Sequence, residues 1–285
     1  MTTHRYLQLD VFADRPGAGN PLGVVADADG LDPVAMQAIA AWTNLSETVF
    51  LLPPAAGADY RVRIFTPRQE LPFAGHPSVG AAWAARDLGS ILREADGAVQ
   101  ECAAGRLPVR LPADGGVHVR APRAVERQMA ARTLLAAALD GLPLDGLPPA
   151  LWSNGPGWWL VALRHGDDVR AARPALAAIA ALTEATGAVG LALFGRSGEP
   201  GHDLVVRAFC PADNIPEDPV TGSANACIAA MLAAHDALPG GARHYLASQG
   251  RKLGRDGRIH VAVDPAGEVW IGGHVQSVIR GSFDW

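Results

Sequence analysis

The sequence predicts an α+β protein built as two similar lobes, and three observations carry that prediction. Short runs with period-two alternation, such as Arg-Tyr-Leu-Gln-Leu-Asp-Val-Phe at residues 5–12, read as half-buried strands. A strand, a Gly/Pro-punctuated loop and an alanine-rich helix follow one another once in each half of the chain. The two occurrences align without a gap at an offset of 144 residues, pairing Arg63 with Arg207, Phe65 with Phe209, Pro67 with Pro211, Pro72 with Pro216, Ala82 with Ala226 and Ala85 with Ala229. An Ala/Pro-rich chain supplies some such matches by chance, but the Arg-x-Phe-x-Pro frame is harder to obtain that way. A solenoid needs several shorter units, so a twofold repeat indicates two lobes, and the cleft between them is the default ligand site.

In chain order, the strand at 5–12 is followed by a Gly/Pro turn and a second strand at 22–26, a hairpin-like start. Asp32-Pro33 opens a helix running to Trp42, with proline at its first position and Met36, Ile39 and Ala40 on one face. The end of that helix delivers Ser46-Glu47 to a strand at 48–52, and another strand is expected at 61–65. The loop 67–75 then leads to a helix over 77–88. The lobe boundary is placed near residue 118, giving lobes of 1–118 and 119–285, with the last strand free to cross back to the first. An arginine- and alanine-rich helix, a Gly-Leu-Pro loop at 141–149 and a strand at 158–163 complete the expected order before the second repeat copy.

Composition bounds the function. With 285 residues, 49% hydrophobic and 19% charged, the chain is globular and can bury a core. A formal net charge of −5 gives no field to gather nucleic acid or an acidic membrane, so the expected partner is a small molecule. The mildest run, 219–234, holds Thr221, Ser223 and Asn225 and falls short of the roughly 20 apolar residues a membrane span needs. Cys102, Cys210 and Cys227 form neither a disulfide framework nor a Cys-x-x-Cys site, and the N-terminus lacks signal-peptide features, so a cytoplasmic location is expected. Lys252 is the sole lysine and follows Arg251, which suits neither Schiff-base chemistry nor a P-loop. No Gly-x-Ser-x-Gly elbow or His-Glu-x-x-His occurs, the histidines lack metal-ligand spacing, and the glycines of 17–23 miss the dinucleotide fingerprint. The basic cluster at 251–255 reads most simply as a solvated turn, or else as a place for a substrate carboxylate.

Both repeat copies end in a Gly/Pro turn, small hydroxyl residues and a helix: Gly75-His76-Pro77-Ser78-Val79-Gly80, and Asp218-Pro219-Val220-Thr221-Gly222-Ser223-Ala224. Free backbone N–H groups and the helix dipole favour an anion at such starts. For any single hydroxyl, Ser78, Thr221 or Ser223, ordinary helix capping is the simpler reading. For the pair, with Gly75, Gly80 and Gly222 permitting close approach, a ligand site is the better one. Glu47 lies in Leu45-Ser46-Glu47-Thr48-Val49-Phe50, where desolvation would raise its pKa and suit it to general acid/base work near neutral pH. A water-facing glutamate is the bland alternative, as a core or capping histidine is for His76 and a helix cap for Asp218.

These residues together resemble the phenazine-biosynthesis isomerase (PhzF-like) family, itself similar in fold to diaminopimelate epimerase. The resemblance spans nearly the whole chain. It is carried by Gly19-Asn20-Pro21, Ser46-Glu47-Thr48, Arg63-x-Phe-Thr-Pro, Phe73-Ala74-Gly75-His76-Pro77, Glu217-Asp218-Pro219-x-Thr221-Gly222-Ser223-Ala224, Gln249-Gly250 and Trp270-Ile271-Gly272-Gly273. It implies two pseudo-symmetric lobes, each a barrel-like, mostly antiparallel sheet around a central helix, a cofactor-free and metal-free site, and a homodimer. By position, Glu47 looks like the proton-transferring group, and His76, Asp218 and Ser223 like groups that position and polarise the substrate. Asn20, Ser46, Gly75 and Gly222 are expected to line the pocket. The family's phenazine enzyme isomerises a dihydro-hydroxyanthranilate, so a proton-transfer isomerase of a small carboxylate is expected here. The epimerase relatives use a thiol in each half, and the matching loops here carry none, which disfavours two-thiol racemisation. Cys227 is expected to be a buried helix residue. The competing expectations are a small-molecule-binding dimer of the same fold without turnover, and a hydrolase acting through Ser223.

Overall fold

The computed structural model describes residues 2–92 and 95–285. The chain divides into two compact units, Met1–Arg120 together with Gly272–Trp285, and Ala121–Ile271.

In the first unit β1 (Thr3–Val11) pairs antiparallel with β2 (Asn20–Val25). Helix α1 (Pro33–Thr43) then crosses over to β3 (Glu47–Leu52), which lies parallel to β2 with Leu22 opposite Glu47. The expected helix start holds: Pro33 opens α1 and the Asp32 carboxylate accepts from the Ala35 N–H at 2.8 Å. β4 (Tyr60–Phe65) pairs antiparallel with β3, and β5 (Glu70–Leu71) folds back on it. Helix α2 (Gly75–Asp87) leads to β6 (Gly97–Cys102), parallel to β4 with Tyr60 opposite Gln100. β7 (Gly105–Arg110) and β8 (Val117–Arg120) extend the sheet antiparallel.

The second unit repeats that order. β9 (Val125–Arg127) precedes α3 (Arg132–Ala138), and β10 (Ala150–Ser153) pairs antiparallel with both β9 and β11 (Gly157–Ala162). Helices α4 (Gly166–Ala171) and α5 (Leu176–Thr186) cross over to β12 (Gly190–Arg196), parallel to β11. β13 (Leu204–Cys210) pairs antiparallel with β12, and β14 (Ile215–Asp218) folds back on it. Helix α6 (Gly222–Ala234) leads to β15 (His244–Gln249), parallel to β13 with Val206 opposite Gln249, and β16 (Gly257–Val263) follows antiparallel. After β17 (Val269–Gly273), β18 (Val275–Asp284) joins the first unit along β1.

One buried helix organises each unit. α2 contacts β1, β2, β3, β4 and β8, and α6 contacts β9, β10, β11 and β16. Ten residues of α2 and nine of α6 are buried, so these helices are covered all round, which their Gly/Ala content permits. At Gly80 a Cβ would stand 2.3 Å from Leu22 Cδ2 and 3.0 Å from Val11 Cγ2, so helix and sheet meet there with no room for a side chain. The outer faces carry separate cores. One packs Met36 and Ile39 of α1 on Phe50 and Phe65; the other packs Ile179 and Leu182 of α5 on Trp159, Leu191 and Phe209. This is the two-lobed α+β arrangement the repeat and the resemblance anticipate.

The repeat itself needs one correction. Arg63 lies over Phe65 at 5.1 Å and Arg207 over Phe209 at 5.0 Å, so the strands match at the offset of 144. Each arginine is forked onto a glutamate, Glu70 and Glu217, and from those glutamates onward the offset is 147, as the starts of α2 and α6 show. The three extra residues lie where Pro211–Asp213 forms a single tight turn. The pairings Pro72/Pro216, Ala82/Ala226 and Ala85/Ala229 therefore fail. The structure instead matches Gly75 with Gly222, His76 with Ser223, Ser78 with Asn225 and Gly80 with Cys227. α2 also starts at Gly75 rather than Pro77, because proline fits the first turn, where a missing N–H costs nothing.

Candidate active site

In the first unit the candidate residues come from three elements. Glu47 opens β3, His76 is the second residue of α2, and Asn20 opens β2. Glu47 Oε2 stands 3.6 Å from His76 Nε2, with the Glu47 side chain 17% and the His76 side chain 6% exposed. Glu47 Oε2 is buried and accepts no hydrogen bond. Burial pushes the Glu47 carboxyl up to about 7, and the hydrogen bond from Ser46 opposes that rise. Asn20 Oδ1 lies 3.3 Å from Ser46 Oγ as a second acceptor for its single hydroxyl proton, and Asn20 is 1% exposed, so Ser46 and Asn20 border the carboxyl as one polar strip. An acid whose pKa lies near neutrality gives and takes a proton with comparable ease.

Two expectations for this copy change. Ser78 does not cap α2: its buried hydroxyl sits at the fourth helical position and accepts from Gln100 Nε2 at 3.0 Å. Gly80 is a packing glycine under Leu22 and Val11 rather than a place for a ligand to approach. Pro77 occupies the third helical position without an N–H, so the start of α2 has fewer donors for an anion than the motif suggested.

The second unit holds a different apparatus at the matching place. Thr221 precedes α6 and its hydroxyl donates to Asp218 Oδ2 in a short hydrogen bond rather than capping the helix. Gln249, 1% exposed, fixes this loop: its Oε1 accepts from the Thr221 N–H at 3.0 Å and from Asn225 Nδ2 at 3.1 Å. Its Nε2 donates to Thr221 Oγ1 at 2.8 Å and to the Asp218 carbonyl at 3.1 Å. Next to it Gly250 adopts φ +91°, and a Cβ there would lie 2.6 Å from the Pro219 carbonyl oxygen, so the loop rests directly on that backbone.

Ser223, half-buried, does not cap either. Its Oγ accepts from the Trp158 indole N–H at 3.1 Å, and its carbonyl accepts from Asn154 Nδ2 at 3.2 Å. With the oxygen so engaged, the hydroxyl proton is left to donate. The N–H groups of Gly222, Ser223 and Ala224 open α6 without intrahelical acceptors, which makes this start a donor array for an anionic group. Asp218, half-buried at the end of β14, contributes an acceptor beside it.

Sequence reasoning missed Gln249's bracing role, Asn225, Trp158 and Asn154. The available signals were an Asn inside an otherwise apolar helix run and the Gln249-Gly250 pair. Cys227 is buried in α6 as expected, its thiol pushed up to about 12 by burial, so it is no nucleophile at neutral pH. Among the described residues no three His, Cys, Asp or Glu side chains are grouped to hold a metal ion, and no helix is long and apolar enough to cross a membrane.

The sequence pattern of the phenazine biosynthesis-like protein family (PhzC-PhzF) matches residues 9–281. The chain is 35% identical to the trans-2,3-dihydro-3-hydroxyanthranilate isomerase of Pseudomonas aeruginosa, over 93% of this chain and 92% of that one. It is 33% identical to antisense-enhancing sequence 1 of Schizosaccharomyces pombe, over 99% of each chain. The crystal structure of a phenazine biosynthesis protein of the PhzF family from Bacillus anthracis superposes with a TM-score of 0.85 at 27% identity, covering 100% of both chains.

Proposed function

The chain belongs to the phenazine biosynthesis-like family and is an isomerase, and from that premise we propose that it moves a proton on a small carboxylate-bearing molecule, without a cofactor, using Glu47 as general acid/base. The observation that carries this reading is the Glu47 carboxyl, held near 7 by burial and facing His76 Nε2 at 3.6 Å.

In the forward direction the Glu47 carboxylate takes a proton from a substrate carbon. The electron pair left behind delocalises into the adjacent conjugated system. The Glu47 carboxylic acid then returns the proton to a different carbon, shifting the double bond, and both atoms and charge balance. A base with an ordinary pKa of 4.5 would take the proton poorly, and one far above neutrality would return it poorly. We assign to His76, beside the Glu47 carboxyl, the positioning and polarising of the substrate. We assign to Ser223 the donation of its hydroxyl proton to the substrate, to the Gly222 N–H a share in holding the anionic group, and to Asp218 the acceptance of a substrate N–H or O–H. Asn20, Ser46 and Gly75 complete the surroundings of Glu47 and His76.

The test is proton NMR in deuterium oxide of small unsaturated carboxylates, beginning with trans-2,3-dihydro-3-hydroxyanthranilate, the substrate named for the Pseudomonas relative. Deuterium incorporation by the wild type and its loss in Glu47→Gln is the expected result. Undiminished incorporation by Glu47→Gln would overturn the assignment.

A further inference from the structure

The second unit contains a cluster of basic side chains that shares no residue with the proposed reaction. Arg170 projects from α4, Ser197, Glu199 and His202 lie on the connection between β12 and β13, Arg251 follows β15, and Arg258 is in β16. His202 is 6% exposed. Its Nε2 contacts Arg170 Nη2 and Ser197 Oγ, each at 3.0 Å. A guanidinium has no acceptor, so Nε2 must accept and the imidazole proton sits on Nδ1. Burial, then Arg258, Arg170 and Arg251, holds the His202 pKa below its usual value, which keeps the ring neutral with that tautomer.

Three donors in this cluster are buried with no acceptor: Arg170 Nε, Arg258 Nη1 and His202 Nδ1. Each such group has given up its hydration without gaining a hydrogen bond, and the loss is greatest where the group is charged. The acids present serve other donors. Asp256 accepts from Arg251 Nε at 2.9 Å and from Arg258 Nη2 at 3.4 Å. Glu199 accepts from Arg251 Nη1 at 2.6 Å and lies 3.4 Å from Arg170 Nε, without making a hydrogen bond to it. Asp167 adds a weaker attraction on Arg170. Glu199 is the exposed partner. Its side chain is 43% exposed, and it sits in Gly198-Glu199-Pro200-Gly201 on the wall of a cavity of about 510 Å³ that Arg196, Ser197, His202 and Asp203 also line.

We propose that Arg170, His202, Arg251 and Arg258 form an anion site for a phosphate-class oxyanion, and that Glu199 occupies it as a built-in substitute when the oxyanion is absent. A carboxylate offers two oxygens and leaves the three donors unmet. A tetrahedral oxyanion offers four acceptors, enough to engage the guanidinium forks and the imidazole N–H together. The cavity beside His202 leaves room for whatever carries the phosphate group. The basic turn at 251–255, which reads from sequence as solvated, thus gains a specific use for Arg251.

The probe is inorganic phosphate, titrated calorimetrically at constant ionic strength into the wild type and Glu199→Ala, with Arg170→Gln and the more exposed Arg251→Gln as comparisons. Saturable binding is expected in the wild type, tightened about fivefold by Glu199→Ala because an exposed competing ion pair is removed. Either arginine variant weakens it, and Glu47→Gln leaves it unchanged, so this result and that of the isomerase reading are independent. The proposal is overturned by absence of saturable binding in both the wild type and Glu199→Ala, or by binding that neither arginine variant weakens.

Discussion

The starts of α2 and α6 are the same structural position used in two chemically different ways. Both helices run 13 residues, both are buried all round, and both follow a strand whose arginine lies over a phenylalanine and is forked onto a glutamate. At the second helical residue one copy has His76 against Glu47 and the other has Ser223 beneath Trp158. The α2 start faces the desolvated Glu47 carboxyl of β3, the group we propose to transfer the proton, and Pro77 reduces its free N–H groups. The α6 start keeps its N–H groups and adds Thr221, Asp218 and a buried Gln249 to hold the loop. A repeated scaffold thus keeps one backbone device while residues at one or two matching positions set its chemistry, a buried carboxyl beside an imidazole in one copy and a hydroxyl beside free helix N–H groups in the other.

The comparison can be broken or sharpened by substitution, and the largest effect is expected at Glu47. Glu47→Gln should lower substrate deuterium exchange by about 10²–10⁴-fold, and wild-type exchange should rise with pH to a midpoint near 7. The same variant reports on stability. A carboxyl at about 7 in the folded chain and 4.5 when free is protonated in the folded state across that window, so wild-type stability falls as pH rises from 4.5 through 7. The loss is on the order of 3 kcal/mol. Glu47→Gln should therefore unfold at higher denaturant concentration than the wild type at pH 8 and at about the same concentration at pH 4.

Next in size is Gln249→Leu. It strands the Thr221 N–H and the Asn225 amide in a buried place, at a cost of about 2–4 kcal/mol by urea unfolding, and should slow exchange through the displaced Asp218 loop. A cost no larger than that of an exposed substitution would show that this network does not brace the loop. Gly80→Ala and Cys227→Ala probe matching positions of the two helices. The first forces a Cβ to 2.3 Å from Leu22 and should cost about 1–3 kcal/mol by overpacking, whereas the second leaves only a small void and should cost about 1 kcal/mol. The smallest effect on exchange is expected for Trp158→Phe, which removes one donor to Ser223 and should slow exchange about threefold to tenfold, while the void left by the smaller ring in this buried place should cost about 1–3 kcal/mol of stability.

Much of this was legible in the chain, for identifiable reasons. Asp32-Pro33 announced α1 because capping and proline geometry are local, and Tyr60–Phe65 announced β4 because alternation reports burial directly. Glu47 was legible because Leu45, Val49 and Phe50 flank it, and desolvation follows from such neighbours. The three-residue slip was not, since an Ala/Pro-rich chain tolerates an ungapped alignment; the Arg207–Glu217 fork and the starts of α2 and α6 expose it. Ser78, Thr221 and Ser223 looked like caps because hydroxyls near helix starts usually are. Their actual partners, Gln100, Asp218 and Trp158, lie on other elements. The Gln100 and Trp158 contacts join residues 22 and 65 positions apart, of which local sequence carries no record, whereas Asp218 and Thr221 are three apart and their pairing is a local one.

The central claim, that Glu47 is held ready to give and take a proton, is tested most directly by following the side-chain carboxyl carbon of Glu47 by ¹³C NMR across pH, assigned with Glu47→Gln. A midpoint near 7 is predicted. A midpoint near 4.5, the value of an ordinary glutamate, would contradict the account.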